Sequence, residues 1–192
     1  MFYMIYLAAG LSSRYGSNKL LKEIDGKPMY RHLLDILTVM KEEEPHRYEL
    51  VVVTAYDEIE DYVKELPVKV VRNQHQELGA SYSIKLGLEA CGEIGRHDHV
   101  MFAVADQPYV QEDELFGFIH MFKRSYKGIG VLCWKGEMGN PVIFQGQFVP
   151  ELMALTGDVG GKAVVKAHLS EVFQYEADSE MSLRDFDTPQ EQ

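Results

Sequence analysis

Between residues 7 and 21 the chain reads LAAGLSSRYGSNKLL, small residues leaving an apolar run and giving way to hydroxyls and bases. Ala8, Ala9 and Gly10 let a ligand come close to the backbone. Ser12 and Ser13 supply hydroxyls. The planar Arg14 guanidinium matches paired phosphate oxygens, and the compact Lys19 ammonium can follow a single phosphoryl group. This is the chemistry of a mononucleotide phosphate cradle; the plainer alternative is a polar turn with exposed bases. Asp106 lies just past a second apolar run and is followed by Pro108. A carboxylate there suits Mg²⁺, which takes oxygen ligands and bridges substrate phosphates. It would equally suit a cap for a helix from about residue 111. The closing stretch RDFDTP offers Asp185 and Asp187 as a second carboxylate source, or as a solvated acidic tail. Gly79, Ser81 and Ser83 make a small, hydroxyl-bearing loop that suits a base and ribose, or the capped start of a helix.

Familiar alternatives fail on spacing. A Walker A loop needs four residues between its glycines and then Lys-Ser/Thr. Five separate Gly10 from Gly16, and Ser17 follows; in GDVGGK, three separate Gly157 from Gly161, and Ala163 follows Lys162. No G-x-G-x-x-G is present. His97 and His99 lack further ligands at zinc spacing, as does His75, and Cys91 and Cys133 form no metal-spaced cluster. Two free thiols fit a reducing cytoplasm.

These residues need a scaffold. YMIYLAA (3–9), LVVVTA (50–55), VKVVRN (68–73), HVMFAVA (99–105) and GIGVLCW (128–134) read as strands. Helical spacing follows Pro28, through Tyr30, Leu33, Leu34, Leu37 and Met40, and recurs at 57–66, 80–91 and 111–125. Strands alternating with helices imply a mostly parallel sheet covered on both faces. Ligands of such sheets sit outside the carboxyl ends of strands, where the strand order switches. The three most peculiar loops, AAGLSSRYGSNK, NQHQELGAS and DQPYV, all follow strands. Beyond residue 135 the spacing changes to a hairpin-and-helix embellishment. Residues 1–192 read as one domain.

A net charge of −11 argues against general nucleic-acid binding, which relies on Lys and Arg neutralising phosphates. No apolar run approaches the roughly 20 residues that span a bilayer. The N-terminal MFYMIYLAAG lacks a basic leader and reads as a buried first strand, not a signal peptide.

LAAGLSSRYGSNKLL resembles the signature of nucleotidyltransferases with a three-layer, Rossmann-like NTP-transferase fold and a mostly parallel mixed sheet. More narrowly, it is similar to the molybdenum cofactor nucleotidyltransferases, with Tyr15 where methionine or phenylalanine is usual. NQHQELGASYSIKLGL, ADQPYV, GNPVIF with GDVGGK, and RDFDTPQE match further segments in order, so the resemblance spans residues 3–191. Gly161-Lys162 stands where alanine-arginine is common. The resemblance implies nucleotide binding by Leu7, Ala8, Ala9, Gly10, Ser12, Arg14, Lys19, Gly79, Ser81 and Ser83. It implies Mg²⁺ (or Mn²⁺) on Asp106 and Asp187, with Asp185 an alternative, and catalysis by Lys19, Arg14 and Asp106. Asn140, Pro141, Gly157, Asp158 and Lys162 would face the acceptor, molybdopterin or its molybdenum-loaded form. Ala9, where guanylyl-transferring relatives tend to carry glycine, and the GASYS loop lean towards CTP over GTP. A molybdenum hydroxylase such as a xanthine dehydrogenase would be a transient partner. A sugar- or alcohol-phosphate acceptor is the alternative enzyme, and a non-catalytic cofactor-handing accessory the alternative class.

Overall fold

Apolar runs in alternation with helical periods become, in space, one sheet between two layers of helices. The computed structural model describes residues 1–10 and 18–186. In chain order the elements are β1 (Phe2–Ala8), β2 (Glu23–Ile24), β3 (Lys27–Pro28), α1 (Arg31–Glu43), β4 (Tyr48–Thr54), α2 (Asp57–Val63), β5 (Lys69–Arg72), α3 (Ala80–Cys91) and β6 (His99–Val104). They continue with α4 (Glu112–Ser125), β7 (Ile129–Trp134), β8 (Glu137–Gln145), α5 (Val149–Ala154), α6 (Lys162–Ala167) and β9 (Val172–Glu176). The main sheet runs β5-β4-β1-β6-β8-β7-β9, and β2 and β3 pair as a small hairpin. β8 lies antiparallel between β6 and β7, while the other pairings are parallel.

Period-two alternation along β1 divides the core. Phe2, Met4, Tyr6 and Ala8 pack with α1, α2 and α4, and Tyr3 and Ile5 pack with α3, α5 and α6. Both faces are covered, which is why the parallel strands read as nearly continuous apolar runs. Gly87 brings α3 close to β1, since a Cβ there would run into the Ile5 side chain.

Three details depart from the sequence reading. Pro28 does not open a helix: it pairs with Glu23 in the hairpin, and α1 begins at Arg31. GNPVIFQ, read as embellishment, is an inner strand. Its Pro141 lies where the β7–β8 register breaks, a place at which a missing N–H is tolerated. VFQYE forms the edge strand β9: Phe173 and Tyr175 pack on one half of the core and Val172 on the other, all of them only half-buried.

Candidate active site

The chain builds outward from β1 to β4 and β5, then returns to the other side of β1 with β6. Strand order therefore switches between β1 and β6, the place where an open α/β sheet offers a crevice at its carboxyl ends. A cavity of about 170 Å³ lies there. Leu7, Ala9 and Gly10 line it from the end of β1, Lys19 and Leu20 from the turn just before β2, Val104, Ala105 and Asp106 from the end of β6, and Ala80 and Ser83 from the start of α3.

Lys19 sits in a short 3₁₀ turn whose preceding residue, Asn18, accepts a hydrogen bond from the Leu20 N–H through its side chain. This turn aims the ammonium across the cavity. Lys19 Nζ lies 2.9 Å from Asp106 Oδ2, the two side chains being 14% and 26% exposed. Residues 87 positions apart thus form a half-buried ion pair at the mouth of the crevice. Asp106 does not cap α4; the cap position is Gln111. The wholly buried Tyr6 phenol donates to the Tyr30 carbonyl at 2.6 Å. Burial, and then the charge of Asp106, raises its pKa well above the ordinary phenol value.

The backbone leaving β1 is fixed carbonyl by carbonyl. Leu7 O accepts from the Ala105 N–H at 3.0 Å. Ala8 O accepts from Thr54 Oγ1 at 3.2 Å, Ala9 O from Gln76 Nε2 at 2.9 Å, and Gly10 O from the Tyr56 hydroxyl at 2.5 Å. Four residues from three segments hold one strand end. Thr54, Tyr56 and Gln76 were not singled out in the sequence. Their signal was positional: each lies at or just beyond the end of a strand in the half-sheet beside β1.

The loop before α3 is tied differently. Ser81 is buried, and both its N–H and its hydroxyl donate to the Gly157 carbonyl, at 3.2 and 2.8 Å. The Ala80 N–H points to Asp158 Oδ1 at 3.4 Å. Gly79 has φ +82°, and a Cβ on it would lie 2.5 Å from the Gly157 carbonyl carbon, so only glycine lets the two turns meet. Gly79 and Ser81 therefore join the 157–158 turn to α3, while Ser83 faces the cavity. Asn73, buried, donates to Ser83 Oγ at 2.9 Å. Arg72 is turned away to Asp57 and Glu60.

Of the remaining positions, Asn140 is half-buried and Pro141 buried in β8, and Lys162 is exposed at the start of α6. None of the three lines the cavity. Asp185 accepts from Gln107 Nε2 at 2.7 Å, which places it against the residue next to Asp106. Ser12, Arg14 and Asp187 lie outside the described residues. His99 stacks on Phe2 and His75 meets Glu77; no cluster of three or more His, Cys, Asp or Glu suited to a metal occurs among the described residues. Cys91 and Cys133 are buried free thiols. No helix among the described residues is long and apolar enough to cross a membrane.

The model of the MobA-like NTP transferase domain matches residues 4–172. The chain belongs to this family. Purine catabolism protein PucB of Bacillus subtilis strain 168 is 27% identical over 196 residues, covering 97% of this chain and 92% of its own length. Among solved structures, Rv0371c of Mycobacterium tuberculosis H37Rv superposes with a TM-score of 0.74 at 21% identity, over 97% of this chain and 93% of that one. Rv0371c has also been solved in complex with manganese, with a TM-score of 0.66 at 20% identity over 93% and 89% of the two chains. Molybdopterin-guanine dinucleotide biosynthesis protein A from Archaeoglobus fulgidus gives 0.65 at 17% identity, over 97% and 93%. These structures share the three-layer fold. As a MobA-like NTP transferase the chain is a nucleotidyltransferase, and the Lys19–Asp106 crevice lies within the matched region.

Proposed function

We propose that this nucleotidyltransferase moves CMP from CTP onto molybdopterin, or its molybdenum-loaded form, and releases pyrophosphate. The observation that carries the reading is the meeting of Lys19 and Asp106 across the crevice at the sheet's switch point. A phosphate oxygen of the acceptor attacks the α-phosphorus in line; that P–O bond forms as the bond to the β-phosphate oxygen breaks. Positioning and charge stabilisation carry such chemistry without a covalent protein intermediate.

The donor set suits a hard divalent cation. Mg²⁺ is held by one or two carboxylates together with substrate phosphates, not by a full protein cage. The crevice offers Asp106, with the acidic C-terminal segment carrying Asp185 fastened beside it through Gln107. The metal, Mg²⁺ or Mn²⁺, would neutralise charge on the triphosphate. In the free protein Lys19 neutralises Asp106. With the nucleotide bound, Lys19 would stabilise charge growing at the α-phosphate, and Asp106 would hold the cation. Arg14 is assigned to the departing β- and γ-phosphates.

Ala9 supports CTP over GTP: it lines the cavity, and its methyl occupies space that a glycine would leave open. The relative named for purine catabolism supports a client such as a xanthine dehydrogenase, which acts on a purine and to which the finished cofactor would be handed in the cytoplasm.

Pyrophosphate release is the test, measured with Mg²⁺ and molybdopterin against CTP, GTP and ATP, with Asp106→Ala as control. Release with CTP, lowered by about 10³-fold or more in Asp106→Ala, is expected. Release with GTP alone would keep the mechanism and overturn the base assignment. No release despite tight nucleotide binding would point to a sugar- or alcohol-phosphate acceptor, and failure there to a cofactor-handing accessory.

A further inference from the structure

Gln107, next to Asp106, is 3% exposed. A buried amide is unfavourable unless hydrogen-bonded. Its Nε2 donates to Leu183 O at 3.2 Å and to Asp185 Oδ1 at 2.7 Å, while its Oε1 has no hydrogen-bond partner among the described residues. The donor end alone accounts for keeping an amide here.

The backbone around Asp185 is fastened independently. Glu114, 2% exposed, accepts from the Asp178 N–H at 2.8 Å and from Ser182 Oγ at 3.1 Å. Leu183 fills the space beside Gly139, where a Cβ would lie 2.6 Å from its methyl. The Phe186 ring packs on Tyr109 at 5.7 Å. With the chain also held at Asp178, Ser182 and Phe186, Gln107 adds one bond to the Leu183 carbonyl and the orientation of the Asp185 carboxylate.

We propose that Gln107 is a positioning residue of the transfer site, holding the Asp185 carboxylate beside the Asp106 loop as the second anionic group for the divalent cation; this rests on the nucleotidyl-transfer reading above. Gln107 touches neither cation nor substrate and acts through Asp185. Side chains that orient metal ligands in this way commonly alter metal affinity by about 10- to 100-fold when removed.

The test is Mn²⁺ affinity, read from the free-ion paramagnetic resonance signal in the presence of a non-hydrolysable CTP analogue. Gln107→Leu keeps the buried volume and removes the donor. It is expected to weaken Mn²⁺ binding by about tenfold. In an Asp185→Ala background the same change should add less than about twofold, because the two residues act as a unit. Glu114→Gln, which loosens the same segment from further back, should lower the unfolding temperature and leave Mn²⁺ affinity in place. Unchanged affinity in Gln107→Leu, an equal loss in the Asp185→Ala background, or an equal loss in Glu114→Gln would overturn the proposal. Unchanged Mn²⁺ affinity in Asp106→Ala would overturn the transfer reading itself, and this proposal with it.

Discussion

The two ends of the sheet treat ionisable groups in opposite ways. At the amino ends of β1, β4 and β6, Phe2 is in register with Tyr48 and His99, and the rings pack at 5.5 and 5.8 Å. Lys123 Nζ lies 4.8 Å above the Phe2 ring. Burial, and then Arg47, pushes the Lys123 pKa down to about 8; burial, and then Lys123, pushes His99 down to about 4. Glu44 and Asp98 pull the other way and do not offset the burial. At the carboxyl ends of the same strands, Lys19 and Asp106 meet as opposite charges in contact, at the rim of a cavity. At one end, burial in an aromatic cluster disfavours the charged forms of Lys123 and His99. At the other, Lys19 and Asp106 form an ion pair at the rim of the crevice.

Removing one charge at the carboxyl end tests that contrast most strongly. Lys19→Ala is expected to lower turnover by about 10²- to 10³-fold, with nucleotide affinity weakened by less than about tenfold, since the proposed reaction places the ammonium where charge develops. Single-turnover kinetics beside equilibrium nucleotide binding would separate the two. A large loss of binding with normal turnover of what remains bound would make Lys19 a ground-state anchor.

At the other end the expected effect is on folding alone. Below pH about 6.5 the unfolded chain takes up a proton at His99 that the folded chain refuses until about pH 4. The unfolded state then binds more protons, so stability falls as the pH drops through that window. Discounted for the partial exposure of His99, the loss is about 1–2 kcal/mol. His99→Phe keeps a ring between Phe2 and Phe122 and should flatten the acid limb of unfolding temperature against pH, with turnover at neutral pH unchanged. A slope identical to the parent's would remove His99 from the account.

The smallest effect separates the cradle from its braces. Gln76→Ala deletes one hydrogen bond to the Ala9 carbonyl, worth about 0.5–1.5 kcal/mol. It should raise the nucleotide KM by about three- to tenfold at constant kcat. A fall in kcat with unchanged KM would mean that Gln76 reaches the reacting phosphates.

Much of this was legible in the chain. β-branched runs gave the parallel strands, and the loops after three of them held the unusual residues, Lys19 and Asp106 among them. The hairpin that carries β8 was legible but its inner place was not, because the apolar run VIF fits an edge hairpin as well as an inner strand; the place is decided by pairing with both β6 and β7. Ser81 shows the same limit within the site. A serine near a helix start suits a ribose or a cap, and only the approach of Gly157 assigns its hydroxyl.

Local chemistry therefore determined which residue types stand at the strand ends, through hydrophobic periodicity and the need of phosphate for cations, hydroxyls and close backbone. Tertiary structure decided which of them meet. Lys19 and Asp106, Gln107 and Asp185, and Ser81 and Gly157 are each brought together across 76 to 87 positions of chain. Such contacts depend on the order in which strands assemble into the sheet, a property of the whole core and not of any one segment.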